Sequence, residues 1–329
     1  MQPTNDTTTN DAHATTGKAT ANDTRPLKSA TFLLKYDCNL RCSFCLNDWR
    51  GKTRPNDELT YSQQRETLQK MQAAGITHVT FTGGEPALHP QLAELILFAR
   101  SLGMTTLLQT NGTLLSDDFL AKVKNVIGGI QISLHGLREE QRVLSGFDSF
   151  EHIVANMKRV KRHGIKLCTN FVITTKNTHA LKDYLALLDG IGVDIASFTR
   201  LYPGGNALRN WNDLVVSGEA YAAFMRELQN AKTKMKIYLA GPTDNLLLKD
   251  ITLQNATCGA GKTEIAINPN GDILPCPSWN EPVGNVLRTD VKTAWDTGFL
   301  AELGASHDGT QGCMLARKRG KTELEPHNL

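Results

Sequence analysis

Three cysteines fall within eight consecutive residues, Cys38-Asn39-Leu40-Arg41-Cys42-Ser43-Phe44-Cys45. Thiolates this close in sequence can wrap one metal centre from a single loop. Their number is informative. A structural zinc site is closed by four ligands, whereas an iron-sulfur cluster held by three cysteines keeps one iron open to a small molecule. A zinc or cluster-binding regulator that uses the same three thiols as a sensor is the alternative reading. A second group of residues, Thr82-Gly83-Gly84-Glu85-Pro86, follows further on. Its glycines would bare backbone groups to a ligand, and Glu85 or a neighbouring carbonyl can accept hydrogen bonds from an ammonium.

Both motifs follow short β-branched or aromatic runs. Such runs alternate with amphipathic stretches along the chain, the signature of repeated βα units. Strands are expected at 31–35, 78–81, 105–109, 130–134, 167–173 and 195–199. Leu92, Leu95, Ile96, Ala99 and Leu102 keep helical spacing, as do Ile153, Met157 and Val160. Thr60 with Gln63 makes a capping-box pair. Gly75, Gly103, Gly164 and Gly192 stand where helices end in a left-handed residue before the next strand. About six such units predict an α/β fold, a partial (β/α)6 TIM-type barrel over 29–205, with a doubly wound sheet as the alternative. In a parallel barrel, ligand-binding groups gather at the carboxyl ends of the strands, which would bring the cysteine loop and Gly83-Gly84-Glu85 to one face.

Beyond Tyr202-Pro203-Gly204-Gly205 the pattern changes. A helical connection is expected over 206–257, with its helix near 221–228. A hairpin over 263–274 would turn at Asn268-Pro269-Asn270-Gly271-Asp272. Cys258 precedes this hairpin, Cys276 follows it and Cys313 lies beyond, so 258–315 reads as a small module with its own thiols and 316–329 as a polar tail. Cys168 sits mid-strand among apolar neighbours and reads as core.

With 329 residues, 40% of them hydrophobic, and a net charge of +3, the chain can bury a large core and offers no strong field for nucleic acid. The seven cysteines are odd in number and unevenly placed, which speaks against a disulfide framework and for a reducing, cytoplasmic setting. No apolar run is long enough to span a membrane. Residues 1–28, rich in Thr, Asn, Asp and Ala, read as a disordered tail, and Asp6, Asp11 and Asp23 argue against organelle import.

The cysteine spacing, the aromatic before the last cysteine and the Gly-Gly-Glu-Pro segment one βα unit later resemble the radical S-adenosylmethionine superfamily, over about residues 30–205. The resemblance implies that Cys38, Cys42 and Cys45 ligate a [4Fe-4S] cluster whose open iron chelates the methionine moiety of S-adenosylmethionine. It further implies that Gly83, Gly84 and Glu85 hold the amino group of that moiety and that Phe44 lies near the adenine. Asn111, Ser133 and Arg200, at the ends of the third, fourth and sixth strands, match positions that contact the ribose and the methionine carboxylate. An ordinary strand-end turn role, or for Arg200 a local ion pair, is the other reading, and Asn170 shares it. Cys258, the hairpin, Pro275-Cys276 and Cys313 resemble the extension called a SPASM or twitch domain, in truncated form, because a fuller one adds a dense group of late cysteines. One auxiliary iron-sulfur cluster is implied, its fourth ligand drawn from His307 or Asp308 or its iron open to substrate, with unrelated free thiols as the alternative. The activity implied is reductive cleavage of S-adenosylmethionine to a 5'-deoxyadenosyl radical, with an electron from a low-potential donor such as flavodoxin or ferredoxin, followed by hydrogen abstraction from an unreactive carbon. A peptide to be modified or matured is the expected substrate. A small metabolite or sugar, in natural-product or cofactor biosynthesis, is the alternative. No residue stands out as the one that completes the reaction on the substrate.

Overall fold

The computed structural model describes residues 25–47, 57–242, 255–256, 258–307 and 313–318. Strands β1 (Ser29–Leu33), β2 (His78–Thr82), β3 (Thr105–Thr110), β4 (Gly129–Ser133), β5 (Leu167–Ile173), β6 (Ile195–Arg200) and β7 (Lys236–Pro242) lie side by side in chain order, every pair parallel. Parallel neighbours need a crossover, and helices supply it. They are α1 (Tyr61–Ala73), α2 (Leu92–Ser101), α3 (Asp117–Val123), α4 (Arg138–Ser145), α5 (Phe150–Arg162), α6 (Leu181–Ile191), α7 (Gly205–Arg209), α8 (Trp211–Leu214) and α9 (Gly218–Asn230). β8 (Asn255–Ala256) flanks β7. At the other edge β9 (Glu264–Ile267) pairs parallel with β1, followed by β10 (Asp272–Leu274) and β11 (Gly284–Asn285) in antiparallel order. Because β1 pairs with β9 and not with the last parallel strand, the sheet does not close on itself, as the partial barrel requires.

The parallel array runs beyond the six strands expected, to β7 and the short β8 at one edge and to β9 at the other. β7 lies in the stretch read from sequence as a helical connection, and the Gly and Pro at the end of its run Lys-Ile-Tyr-Leu-Ala-Gly-Pro mute the strand signal. The local signals otherwise translate directly. Thr60 accepts from the Gln63 backbone while the Gln63 side chain accepts from Thr60. Gly75, Gly103, Gly164 and Gly192 carry φ of 93°, 82°, 72° and 81°.

Strand alternation divides the molecule. Val79, Phe81, Leu108, Ile130, Ile132, Phe171 and Phe198 join Leu68, Met71, Leu95, Ile96, Met157 and Leu188 from the helices in one apolar layer. The intervening residues Thr80, Gln109, Gln131, Ser133, Asn170 and Thr199 face the other way, are polar and remain half-buried. A packed outer layer therefore carries a polar inner face.

The start of the fold needs correcting. Arg25 and Leu27 belong to the stretch read as a tail, yet Leu27 is buried in the main core. Arg25 donates to the carbonyls of Gly261, Leu300 and Trp295 at 2.5, 2.6 and 2.6 Å, and its guanidinium stacks 4.7 Å from the Trp295 ring. It thereby ties the entry to β1 to α10 (Val291–Asp296) and α11 (Gly298–Ala305). Composition misses this because two anchoring residues are diluted by a long polar neighbourhood. At the other end, the stretch read as a polar tail begins inside α12 (Met314–Lys318), where Lys318 pairs with Glu281 and lies 5.0 Å over the Trp279 ring. Residues 319–329 lie outside the described residues.

Candidate active site at the strand ends

The cysteine loop leaves the carboxyl end of β1 and is held to the end of β2 by a ladder that outlasts both strands. Leu34 N donates to Thr82 O, Gly84 N to Lys35 O and Glu85 N to Asp37 O, each at 2.8 Å. The approach is too tight for side chains: a Cβ on Gly84 would stand 2.1 Å from Asp37 O, and one on Gly83 2.7 Å from Lys35 O, where Gly83 also has φ of 149°. Gly83 and Gly84 were read from sequence as baring backbone to a ligand. In the structure their first use is internal, since they let the two strand ends touch and set the position of the cysteine loop.

Glu85 is corrected in the same sense. Its side chain is fully buried and accepts from Thr110 Oγ1 at 2.6 Å, Asn111 N at 2.8 Å and Ala87 N at 2.9 Å. Burial raises its proton affinity, and these three donors oppose that rise. The carboxylate is a fastener between the ends of β2 and β3.

The loop is clamped from two further sides. Arg41 N and Ser43 N donate to Ser145 O and Leu144 O of α4, both at 2.9 Å. From the segment after β6, Ala207 N donates to Cys45 O at 3.1 Å, Asn206 Nδ2 to Cys42 O at 3.2 Å and Asn210 Nδ2 to Ser43 O at 3.0 Å. Asn206 and Asn210 escaped the sequence reading, which offers no signal for them, because their partners lie more than 160 residues away. Asn111 Nδ2 donates to Asn39 Oδ1 at 2.7 Å and lies 4.0 Å from Cys38 Sγ, so the end of β3 steadies the first cysteine. Phe44 packs edge-on against His135 with ring centroids 4.3 Å apart. His135 Nδ1 accepts from Val172 N at 3.1 Å, and burial pushes its pKa down to about 3, so the ring is neutral.

Cys38, Cys42 and Cys45 are half-buried. Among the described residues no three Cys, His, Asp or Glu side chains converge as the ligands of a single ion. The three thiols on one clamped loop suit instead a cluster, which distributes its thiolates over separate irons. Ser133 ends β4 on the polar inner face beside Asn170, and Asn170 Oδ1 accepts from Thr199 Oγ1 at 2.6 Å. Arg200 alternates with Ser197 and Thr199 and so shares the helix-facing side of Phe198, with its guanidinium 4.7 Å over the Tyr221 ring of α9. Gln109 and Gln131, paired in register across β3 and β4, join the inner face and were missed. Their period-two spacing with Leu108, Ile130 and Ile132 carried the signal.

A second set of thiols lies in the C-terminal module. Cys258 and Cys313 are buried in one small cluster with Ala260, Trp279, Leu303 and Leu315, and Cys276 packs against it. Three chain segments that are distant in sequence thus deliver one cysteine each. Burial, with Cys313, Glu264 and Cys258 as like-charged neighbours, raises the Cys276 thiol. His307 is buried nearby, with Nε2 3.0 Å from Ala260 O. Asp308 lies outside the described residues. Cys168 is buried in β5.

A partial barrel with a three-thiol loop at its strand ends and a second thiol set in an appended module defines an iron-sulfur protein with two separate centres. Residues 34–188 match the model of the radical SAM superfamily, and residues 258–314 match that of SPASM, an iron-sulfur cluster-binding domain. The chain thus carries a radical SAM domain followed by a SPASM-type extension. These domains imply a [4Fe-4S] cluster, S-adenosylmethionine and an auxiliary cluster.

Among relatives, an S-adenosylmethionine-dependent nucleotide dehydratase of Flammeovirga pacifica is 31% identical over 48% of this chain and 58% of its own length. A PqqA peptide cyclase of Streptomyces rochei is 26% identical over 80% of this chain and 73% of its own. In fold, the chain resembles the crystal structure of Streptococcus suis SuiB bound to precursor peptide SuiA, with a TM-score of 0.68 at 17% identity over 84% of this chain and 66% of that one. The chain spans 27%, 58% and 63% of the length of three curated relatives it matches. No helix among the described residues is long and apolar enough to cross a membrane.

Proposed function

We propose that this protein cleaves S-adenosylmethionine reductively at the 38–45 loop and directs the resulting 5'-deoxyadenosyl radical at a peptide. The observation that carries the first half is the ladder joining that loop to the Gly83-Gly84-Glu85 strand end. It brings three thiols and a row of peptide groups to one face at the carboxyl ends of β1 and β2, where they would hold S-adenosylmethionine by its amino and carboxylate groups. When bound, the reduced cluster supplies the electron that splits the sulfur-carbon bond. The chain's own part is positioning and exclusion of water. Glu85 locks β2 to β3, Asn206 and Asn210 hold the loop carbonyls, and neutral His135 backs Phe44, which would lie beside the adenine. The polar inner face of Gln109, Gln131, Ser133, Asn170 and Thr199 offers hydrogen-bond partners to ribose and substrate.

Similarity to a peptide cyclase over 80% of the chain supports the peptide half, because it runs on into the C-terminal extension. Similarity to a nucleotide dehydratase over 48% favours a nucleotide or other small metabolite as the second reading. Flavodoxin or ferredoxin in the cytoplasm would supply the electron.

The test is anaerobic turnover with dithionite, following 5'-deoxyadenosine by chromatography and candidate substrates by mass. Wild type is expected to form it, and the triple variant Cys38→Ala/Cys42→Ala/Cys45→Ala is expected to form none. Retained formation in the triple variant would overturn the site. A mass change in a short peptide encoded beside this gene supports the peptide reading. A change confined to nucleotides replaces it with the second.

A further inference from the structure

Around the second thiol set stands a group that neither motif explains. Glu264, the first residue of β9, bends back over the residues that follow Cys258. Its backbone N–H donates to Gly259 O at 3.1 Å, and it bridges to Ala260. Its carboxyl carbon lies only 2.8 Å from where a Cβ on Gly259 would be, so Gly259 lacks a side chain where the Glu264 carboxylate passes, and that carboxylate is a charged neighbour of Cys276. The residue is half-buried. Among the described residues no side chain or backbone donor reaches that carboxylate. A carboxylate in this position without a donor or cation is costly, and natural sequences keep one where a cation belongs.

Two neighbours complete the picture. Trp279, 2% exposed and packed with Cys258 and Cys313, has an indole Nε1–H with no acceptor. A buried donor without a partner marks room for acceptor atoms, such as cluster sulfides, that the polypeptide does not supply. His307, expected as a fourth ligand, instead directs Nε2 at the carbonyl of Ala260. A carbonyl only accepts, so that nitrogen donates, and Nδ1 is the one His307 atom left that could meet an iron.

We propose that Glu264 is the fourth protein ligand of the auxiliary cluster, its carboxylate binding the iron that Cys258, Cys276 and Cys313 leave open. The proposal rests on the auxiliary-cluster reading of the C-terminal extension. One hard oxygen donor among three thiolates makes that iron distinct from the other three and the most readily lost or exchanged.

The experiment uses the full chain carrying Cys38→Ala/Cys42→Ala/Cys45→Ala, so that only the auxiliary cluster reports, reconstituted anaerobically with 57Fe and sulfide. With Glu264 present, Mössbauer spectra should resolve one iron subsite apart from the rest, in a ratio of about one to three. Glu264→Cys should merge that subsite with the others and lower the midpoint potential. Glu264→Gln should lose about one iron in four on mild oxidation and give the electron paramagnetic resonance signal of a three-iron cluster. Spectra and iron content unchanged in both variants would overturn the ligand assignment while leaving the auxiliary cluster in place. A background protein that holds no iron with Glu264 intact would overturn the auxiliary cluster itself. Glu264→Cys restores a sulfur donor, so it separates loss of a ligand from loss of the fold.

Discussion

At the scale of single residues, the site depends on what is absent as much as on what is present. Gly84 admits the Asp37 carbonyl to a position 2.1 Å from where a Cβ would stand. Since both partners are backbone, neither can swing aside. Gly84→Ala is therefore expected to cost about 2–4 kcal/mol and to displace the loop. Denaturant titration should show the loss, and iron analysis should show the 38–45 site emptied while the auxiliary site is retained. Equal iron at both sites would contradict the positioning role. His135 makes a second residue-level case. Its pKa is pushed from 6.5 down to about 3, so between those values the unfolded chain binds a proton that the folded chain refuses. Stability is whole above about pH 6.5 and falls as pH drops toward 3, by up to about 1.4 kcal/mol per pH unit from this group. Urea midpoints of metal-free wild type and His135→Gln at pH 7.5 and 5.5 should show a flatter response in the variant. The same drop in both would rule the effect out.

At the scale of elements, the stretch leading into β1 acts as a strap across the C-terminal module. Arg25 donates to the carbonyls of Trp295 in α10, Leu300 in α11 and Gly261 before β9. Its removal leaves three acceptors without their donor and uncovers the Trp295 face. Arg25→Ala is expected to destabilise by about 2–3 kcal/mol. Hydrogen exchange should quicken over 291–305 while the α1 to α6 layer stays protected. Uniform exchange across the molecule would mean that the strap does not act locally.

At the scale of the whole molecule, the extension also completes the sheet. β9 pairs with β1 from Ser29↔Glu264 to Phe32↔Ile267, so the strand that launches the cysteine loop is an inner strand. Leu33 of β1 packs with Ala266 and Leu274 of the hairpin. A chain cut after residue 242 would expose the edge of β1 and this apolar contact, a template for pairing with other chains. It is expected to aggregate and to retain little iron at the 38–45 site, measured by size-exclusion chromatography with iron detection. A monodisperse, iron-loaded fragment would show the barrel to be independent of its extension.

What could be read along the chain was whatever depends on near neighbours. Cysteine spacing, the Gly-Gly-Glu-Pro run, the Thr60 cap, the left-handed glycines and the hairpin each rest on residues a few positions apart, so local sequence suffices. The roles of Gly84, Glu85, Asn206, Asn210 and Arg200 were decided only by tertiary structure. Their partners arrive from other strand ends: Asp37 for Gly84, Thr110 for Glu85, the loop carbonyls for the two asparagines and Tyr221 for Arg200. Glu264 shows the same division. Its sequence context is an unremarked first residue of a strand, and it acquires meaning only when folding places its carboxylate against Gly259 and near Cys276. Spacing along a chain specifies which ligands can act together, but the direction in which each side chain points is set by alternation and by close approach across the sheet.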